Sequence, residues 1–184
     1  MVHLRDSLES EIVLVLVNGR EHVRKIARIL HESHATVLRK LRLLSQKNIV
    51  DSVREGRNTV YFIKSTLRAR YAIYIAEHYK LSKLFERYPK LAIIFDEVLK
   101  KAKGDMIILF GSYASFSARE DSDIDLYIET QDSHLKKNIS HVHSTLSVKI
   151  GQFELSSLLI KEIIKNHIIL RGMERFYEKT RFFD

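Results

Sequence analysis

The order of apolar and polar residues divides the first third of the chain into three short helices and two strands. Apolar residues spaced near 3.6 predict helices at residues 9–17, 22–30 and 34–46. Two β-like runs follow at residues 49–53 and 59–63, and residues 54–58 link them as a basic hairpin turn containing Gly56 and Asn58. Ser33 is the predicted N-cap of the third helix. This order is typical of a helix-turn-helix with a β-hairpin wing.

A long helix is predicted next, at residues 66–88, and Pro89 marks a domain boundary after it. Its apolar stripe comprises Leu67, Tyr71, Tyr74, Ile75, His78, Leu81, Leu84 and Phe85. Such a stripe fits two structures equally well: pairing with a second copy of the chain, or packing on the chain's own core. We therefore predict three segments: residues 1–65, a linker or dimerisation helix at 66–89, and a second domain at 90–184.

The second domain is predicted to alternate helices and strands. A helix at residues 91–101, ended by Gly104, precedes a buried strand at 106–110. A helix from about 132 to 146, a strand at 147–155, a helix at 156–166 and a final strand and helix within 167–183 complete the pattern. The predicted fold class is α+β, with a small α/β domain following the winged segment.

Composition and charge limit the chemistry and the kinds of binding partner that the chain can have. Hydrophobic residues make up 45% of the chain and cysteine is missing, so disulfides and thiol chemistry are excluded. No apolar run approaches the length of a membrane span, and the first residues lack a signal-peptide pattern, so we expect a cytoplasmic protein without a membrane partner. Residues 1–70 hold 14 Lys and Arg against 7 Asp and Glu, a charge of +7, whereas residues 71–184 hold 17 against 16. This asymmetry favours a polyanionic partner for the first segment.

Residues 27–63 resemble prokaryotic winged-helix transcription regulators. The resemblance implies that double-stranded DNA is the partner and that the third helix enters the major groove, with the wing on the flanking backbone. A winged helix that binds only protein is the alternative. The candidate DNA contacts are His34, Thr36, Arg39, Lys40 and Arg42 on the third helix, and Arg54 and Arg57 on the wing.

The stretch from Phe110 to Glu129 carries the candidate chemistry of the second domain. A Gly-Ser turn follows a buried strand there, and a short helix starting near Tyr113 would aim its amides at the same spot, which suits an anion. Asp123 and Asp125 are two residues apart on a predicted strand, so both carboxylates share one face. Mg²⁺ beside a bound phosphate is the natural counter-charge.

This stretch resembles the minimal nucleotidyltransferase family of the polymerase-beta-like superfamily, whose signature is G-S-x-A-x-G-x-x-x-x-x-S-D-x-D-L. The matching residues are Gly111, Ser112, Ala114, Ser122, Asp123, Asp125 and Leu126. The resemblance covers roughly residues 90–180. It implies that Gly111, Ser112 and Ser122 hold a nucleoside triphosphate and that Asp123 and Asp125 are the catalytic metal ligands.

Two positions depart from the family pattern. The second glycine of the signature is Phe116, which we expect to narrow the nucleotide pocket or change the loop. The superfamily also uses a third carboxylate on the next strand, but the strand predicted at 147–155 offers Ser147, Lys149 and Gly151 on one face. Lys149 is expected to form a salt bridge with the two aspartates instead. Glu154 lies too late in the strand to serve the site.

Three functions remain open at this point. The chain could be a nucleotidyltransferase that uses Mg²⁺ and an NTP on a hydroxyl acceptor. It could be a DNA-binding regulator, acting as a homodimer, whose second domain has lost catalysis and senses a nucleotide or binds a partner. It could also belong to a toxin–antitoxin pair with a small helical partner protein, which a neighbouring gene would reveal.

Overall fold

The computed structural model describes residues 7–102 and 106–184, and these divide into two compact units with the boundary between Tyr79 and Lys80. The elements of the first unit are α1 (Ser7–Val17), β1 (Glu21–His22), α2 (Val23–Ile29), α3 (His34–Gln46), β2 (Val50–Glu55), β3 (Asn58–Ile63) and the start of α4 (Leu67–Arg87). No helix in these residues, or in the described part of the second unit, combines the length and apolarity needed to cross a membrane.

The first unit places three helices against a small antiparallel sheet of order β1-β3-β2. Apolar residues from α1, α2 and α3 form its core, which includes Ile12, Leu16, Ile26, Val37 and Leu41. The two-residue strand β1 was not predicted from the sequence, because two residues carry no periodicity. It pairs with β3, where Glu21 faces Tyr61.

Helix α3 begins and ends where the sequence predicts, at His34 and Gln46. The hydroxyl of Ser33 accepts a hydrogen bond from the amide of Thr36 at 3.1 Å, so the predicted N-cap is confirmed. The β-hairpin predicted to form a wing is longer than expected. Strands β2 and β3 pair as far as Glu55 and Asn58, which leaves a two-residue turn whose Gly56 has a φ of +60°.

A partly buried ion-pair cluster joins α1 to α3 and its C-cap in this unit. The carboxylate of Glu9 accepts from Lys40 at 2.9 Å and from Lys47 at 2.7 Å. Burial by itself would raise the pKa of Glu9, but the hydrogen bonds and charges of Lys47 and Lys40 hold that pKa below its ordinary value. Glu9 therefore stays ionised at neutral pH, and the attraction fixes the packing of α1 on the third helix.

The second unit contains a four-stranded sheet of order β6-β5-β4-β7. Its elements, after the end of α4, are α5 (Lys90–Lys101), β4 (Ile107–Phe110), α6 (Gly111–Ala114), β5 (Ile124–Ile128), α7 (Ser133–Ser140), β6 (Leu146–Ile150), α8 (Leu158–Lys165), β7 (Ile168–Arg171) and α9 (Met173–Lys179). Strands β5 and β6 run parallel, and the other neighbouring pairs run antiparallel. Gly104, the predicted end of α5, lies outside the described residues.

Two predicted boundaries in this unit are wrong, both around β6. The helix expected from about 132 to 146 ends at Ser140, because Leu146 is already in register with Ile124. The amide of Ile124 donates to the carbonyl of Thr145 at 2.8 Å, which starts the pairing one residue earlier than expected. The strand then ends at Ile150, not at Leu155.

The apolar stripe of α4 divides into a buried part and an exposed part. Tyr74 and Leu84 are buried, and Leu81 and Phe85 pack against the core of the second unit. A second set stays exposed, by 69%, 58% and 63%: Leu67, Tyr71 and Ile75. Packing on its own chain therefore accounts for only part of the stripe.

Candidate functional site

Asp123 immediately precedes β5, and Asp125 is the second residue of that strand. Asp125 is in register with the last residue of β4 on one side and with Ser147 of β6 on the other. Asp123 is exposed and Asp125 is half-buried. Since side chains alternate along a strand, both carboxylates share one face of the sheet, while Ile124 and Leu126 are buried in the core.

Gly111 approaches Asp125 so closely that only glycine fits. Its φ is +71°, and a Cβ atom built on it would lie 2.5 Å from Oδ2 of Asp125. Any side chain at position 111 would therefore be strained and would push the carboxylate away. The structure thus brings together two residues that the sequence motif singles out, although 13 positions of chain separate them.

The loop after Gly111 folds back so that two later residues donate hydrogen bonds to the carbonyl of Ser112. That carbonyl accepts from the amide of Ser117 at 2.9 Å and from the hydroxyl of Ser115 at 3.0 Å. The hydroxyls of Ser115 and Ser117 are themselves 2.8 Å apart. Across residues 7–102 and 106–184, the hydroxyl of Ser112 has no hydrogen-bond partner in the protein, so it is free to contact a ligand.

Phe116 adopts the backbone conformation that favours the glycine of the family signature. Its φ is +58°, in the left-handed region, which costs a non-glycine residue about 1–2 kcal/mol. The ring is half-buried and packs against the core of the second unit. The loop therefore keeps a glycine-like path, and apolar burial offsets the strain.

Ser122 has a structural contact within the turn before β5. Its hydroxyl oxygen accepts a hydrogen bond from the amide of Arg119 at 2.8 Å. This contact fixes the approach of the chain to Asp123, the next residue. The hydroxyl proton of Ser122 is still available as a donor, so the predicted nucleotide contact stays a prediction.

The residue beside Asp125 on the next strand is a serine. Ser147 is the register partner of Asp125, and Lys149 is the partner of Tyr127. Lys149 is exposed and forms no ion pair with Asp123 or Asp125 in the described part of the chain. The expected salt bridge is therefore wrong, because Lys149 lies two residues further along the sheet.

Glu129 and Glu154 lie at the opposite end of β5. Glu129, with 7% of its side chain exposed, pairs with Arg175 at 2.7 Å and Lys179 at 2.8 Å. Burial, followed by the charges of Glu129 and Glu154, raises the pKa of Tyr127. Neither glutamate completes the aspartate pair, which agrees with the expectation that Glu154 lies past the site.

Some candidate DNA-binding residues of α3 are exposed, whereas others already form contacts within the protein. Arg39 and Arg42 are exposed, and neither forms an ion pair within the described residues. Lys40 is bound to Glu9, with 17% of its side chain exposed, so its charge is compensated. The hydroxyl of Thr36 lies 2.8 Å from that of Ser33 and belongs to the helix cap.

The wing and the start of α3 share one cleft. His34 and Arg57 line it together with His22 and Arg24, which the sequence pattern did not single out. Arg54, the other predicted wing contact, is exposed and donates from Nε to the carbonyl of Gly56 at 3.4 Å. The only available sequence signal for Arg24 was its basic side chain on the polar face of the second helix.

Residues 95–176 match the family model described as "Polymerase beta, Nucleotidyltransferase". The match covers the sheet, the Gly111–Ser117 loop and both aspartates, and it supports the nucleotidyltransferase prediction at the level of the superfamily. A search of curated proteins gave no match. A search of solved structures gave none either.

The left-handed backbone at Phe116 predicts an unusual order of stability. Phe116→Ala and Phe116→Gly should both lower the free energy of unfolding, because each removes the packed ring. The glycine variant should be the more stable of the two by about 1 kcal/mol, since glycine adopts a positive φ without strain. Urea denaturation of both variants measures the difference.

Tyr113, within helix α6, provides the matched control. Glycine should be the less stable replacement there by about 0.5–1 kcal/mol, because a helical backbone favours alanine. The same order at both positions would contradict the strain assigned to Phe116.

Proposed function

We propose that the second unit binds a nucleoside triphosphate at the Gly111–Ser117 loop and transfers its nucleotidyl group to a hydroxyl acceptor. The observation that carries this proposal is the close approach of Gly111, at the start of the serine-rich loop, to the carboxylate of Asp125. The family match at residues 95–176 supports nucleotidyl transfer in general. It does not identify the base or the acceptor.

A divalent metal fits the residues present, provided that the substrate supplies further oxygens. Within the described residues, no cluster of three or more potential metal-binding side chains occurs. Mg²⁺ is commonly held by one or two carboxylates plus substrate phosphates, and Asp123 and Asp125 can supply those carboxylates. When bound there, Mg²⁺ would neutralise charge on the phosphates and stabilise the departing pyrophosphate.

In the proposed reaction the acceptor oxygen attacks the α-phosphorus of the NTP. The new P–O bond forms as the bond from that phosphorus to the bridging oxygen breaks, and pyrophosphate leaves with the electron pair. The acceptor proton passes to water, because β6 presents Ser147 beside Asp125, where a carboxylate base would lie. Gly111 and Ser112 would orient the triphosphate throughout.

The same serine favours a second candidate, a regulator that holds a nucleotide without consuming it. A hydroxyl cannot accept the acceptor's proton at neutral pH, and it adds no negative charge to the metal site. The aspartates and the phosphate loop would then bind nucleotide, and transfer would be slow or missing. The two candidates differ in turnover and not in ligand.

The first unit is proposed to be a winged helix that binds double-stranded DNA. Its support is the order of helix, short strand, two helices and hairpin, with sheet order β1-β3-β2. Arg39 and Arg42 project from α3 as uncompensated cations, as a recognition helix requires. Lys40 is left out of the proposed interface, because its charge is bound to Glu9.

We further propose that the chain forms a homodimer through α4. Leu67, Tyr71 and Ile75 recur every four residues and stay exposed. They border a cavity of about 470 Å³ that is also lined by Val13, Leu44 and Ile49. In a two-fold dimer, the exposed apolar residues of α4 in one copy could pack into the apolar cavity of the other copy, and the reverse. A two-fold dimer also matches the symmetry of a palindromic DNA site.

Transfer is tested with a labelled NTP and the variant Asp125→Asn. The wild type should bind NTP in a metal-dependent manner, and the variant should bind at least tenfold more weakly because a ligand charge is lost. Ser147→Asp separates the two candidate functions. If the wild type binds NTP without transferring it and this variant gains transfer, the regulator is correct; metal-independent binding by the wild type would refute both.

DNA binding is tested by fluorescence anisotropy with a labelled duplex. Arg39→Ala should weaken affinity by about 1–3 kcal/mol and lower the salt dependence of binding. Lys100→Ala, which removes an exposed charge from the second unit, is the matched control and should change affinity little. Equal losses in both variants would exclude α3 as the recognition helix.

The dimer is tested by light scattering coupled to size exclusion. Tyr71→Glu should convert a dimer to a monomer, because each copy would bury a charge in an apolar contact. Leu158→Glu, at a residue that is 83% exposed in the second unit, should leave the mass unchanged. A monomeric wild type at micromolar concentration would refute the dimer.

A further inference from the structure

Four elements of the first unit surround a cleft that is basic at its rim and apolar at its floor. The cleft has a volume of about 260 Å³. Its rim carries His22 from β1, Arg24 from α2, His34 from α3 and Arg57 from the wing turn. Val23, Leu38 and Tyr61 lie deeper, as buried or half-buried side chains, and Asn58 and Thr59 complete the wall.

The charge of this cleft is not compensated within the part of the chain that the structure describes. No carboxylate lines the cleft, and neither Arg24 nor Arg57 forms an ion pair there. His22 lies 3.6 Å from Glu21, but that glutamate also binds Lys25. Two arginines and two histidines thus line one small space, and an anion is the ligand that the charge of the arginines favours.

The size of the cleft limits what the anion can be. A cleft of about 260 Å³ has room for a phosphate group. Arginine is suited to this ligand, because its planar donors match two phosphate oxygens at once.

We propose that this cleft binds one backbone phosphate of duplex DNA, with Arg24 of α2 and Arg57 of the wing as its two sides. The proposal rests on the DNA-binding function proposed above and adds a residue, Arg24, that lies outside both the third helix and the wing. It also gives the wing a fixed distance from α3, because one phosphate is held by Arg57 and His34 together.

Arg28 provides a matched control for Arg24. It is an exposed arginine one turn further along the same helix, and it does not line the cleft. Arg24→Gln should weaken binding to a labelled duplex roughly three- to tenfold and reduce the slope of log affinity against log salt by about 1. Arg28→Gln should change the affinity less than about twofold, as expected for a charge away from the phosphate.

The outcomes separate this inference from the proposed function. If the wild type binds duplex DNA and the two variants weaken it equally, the cleft is not a phosphate site, although DNA binding stands. If the wild type binds no duplex at physiological salt, DNA binding fails and this inference fails with it.

A second arm distinguishes backbone phosphate from free phosphate. Inorganic phosphate and pyrophosphate are titrated into the wild type and into Arg24→Gln at constant ionic strength, and the ¹H–¹⁵N NMR shifts of residues in the cleft are followed. Only weak binding, at many millimolar, is expected for either free anion. Submillimolar binding that depends on Arg24, together with duplex affinity that does not, would show that the ligand is a free anion and would overturn the proposal.

Discussion

The geometry of the candidate site in the second unit depends on residue 111 being a glycine. Because Gly111 has no Cβ atom, the end of β4 can turn directly against the carboxylate of Asp125. That close approach sets the distance between the loop that begins at Gly111 and the carboxylate of Asp125. The left-handed Phe116 and the hydrogen bonds to the carbonyl of Ser112 then hold the loop in the path that this turn begins.

Local features of the sequence predicted local features of the structure. The limits of α3 and the Ser33 cap follow from side chains within one turn of each other, and the structure reproduces both. The strand that contains Asp125 and directly follows Asp123 was also predictable, since the alternation of acidic and apolar residues has a period of two. These inferences needed no knowledge of what packs against each element.

Features that depend on strand register could not be predicted in the same way. Lys149 was expected beside the aspartates, but β6 starts at Leu146 and places Ser147 there. A shift of pairing changes the neighbour of every residue on a strand, and a single sequence does not state the register. The ion pair of Lys40 with Glu9 likewise depends on tertiary packing, as does the position of Arg24 in the same cleft as Arg57. The polar face of a helix, read from the sequence, predicts neither of them.

The hydroxyl at position 147 decides what kind of information the domain could convey. A site that transfers its nucleotide works at steady state, and its occupancy reflects the rate at which substrate arrives and product leaves. A site that keeps its nucleotide intact equilibrates with the surrounding pool, so its occupancy follows concentration alone. The side chain next to Asp125 is therefore the position at which the proposed transferase and the proposed nucleotide sensor would differ.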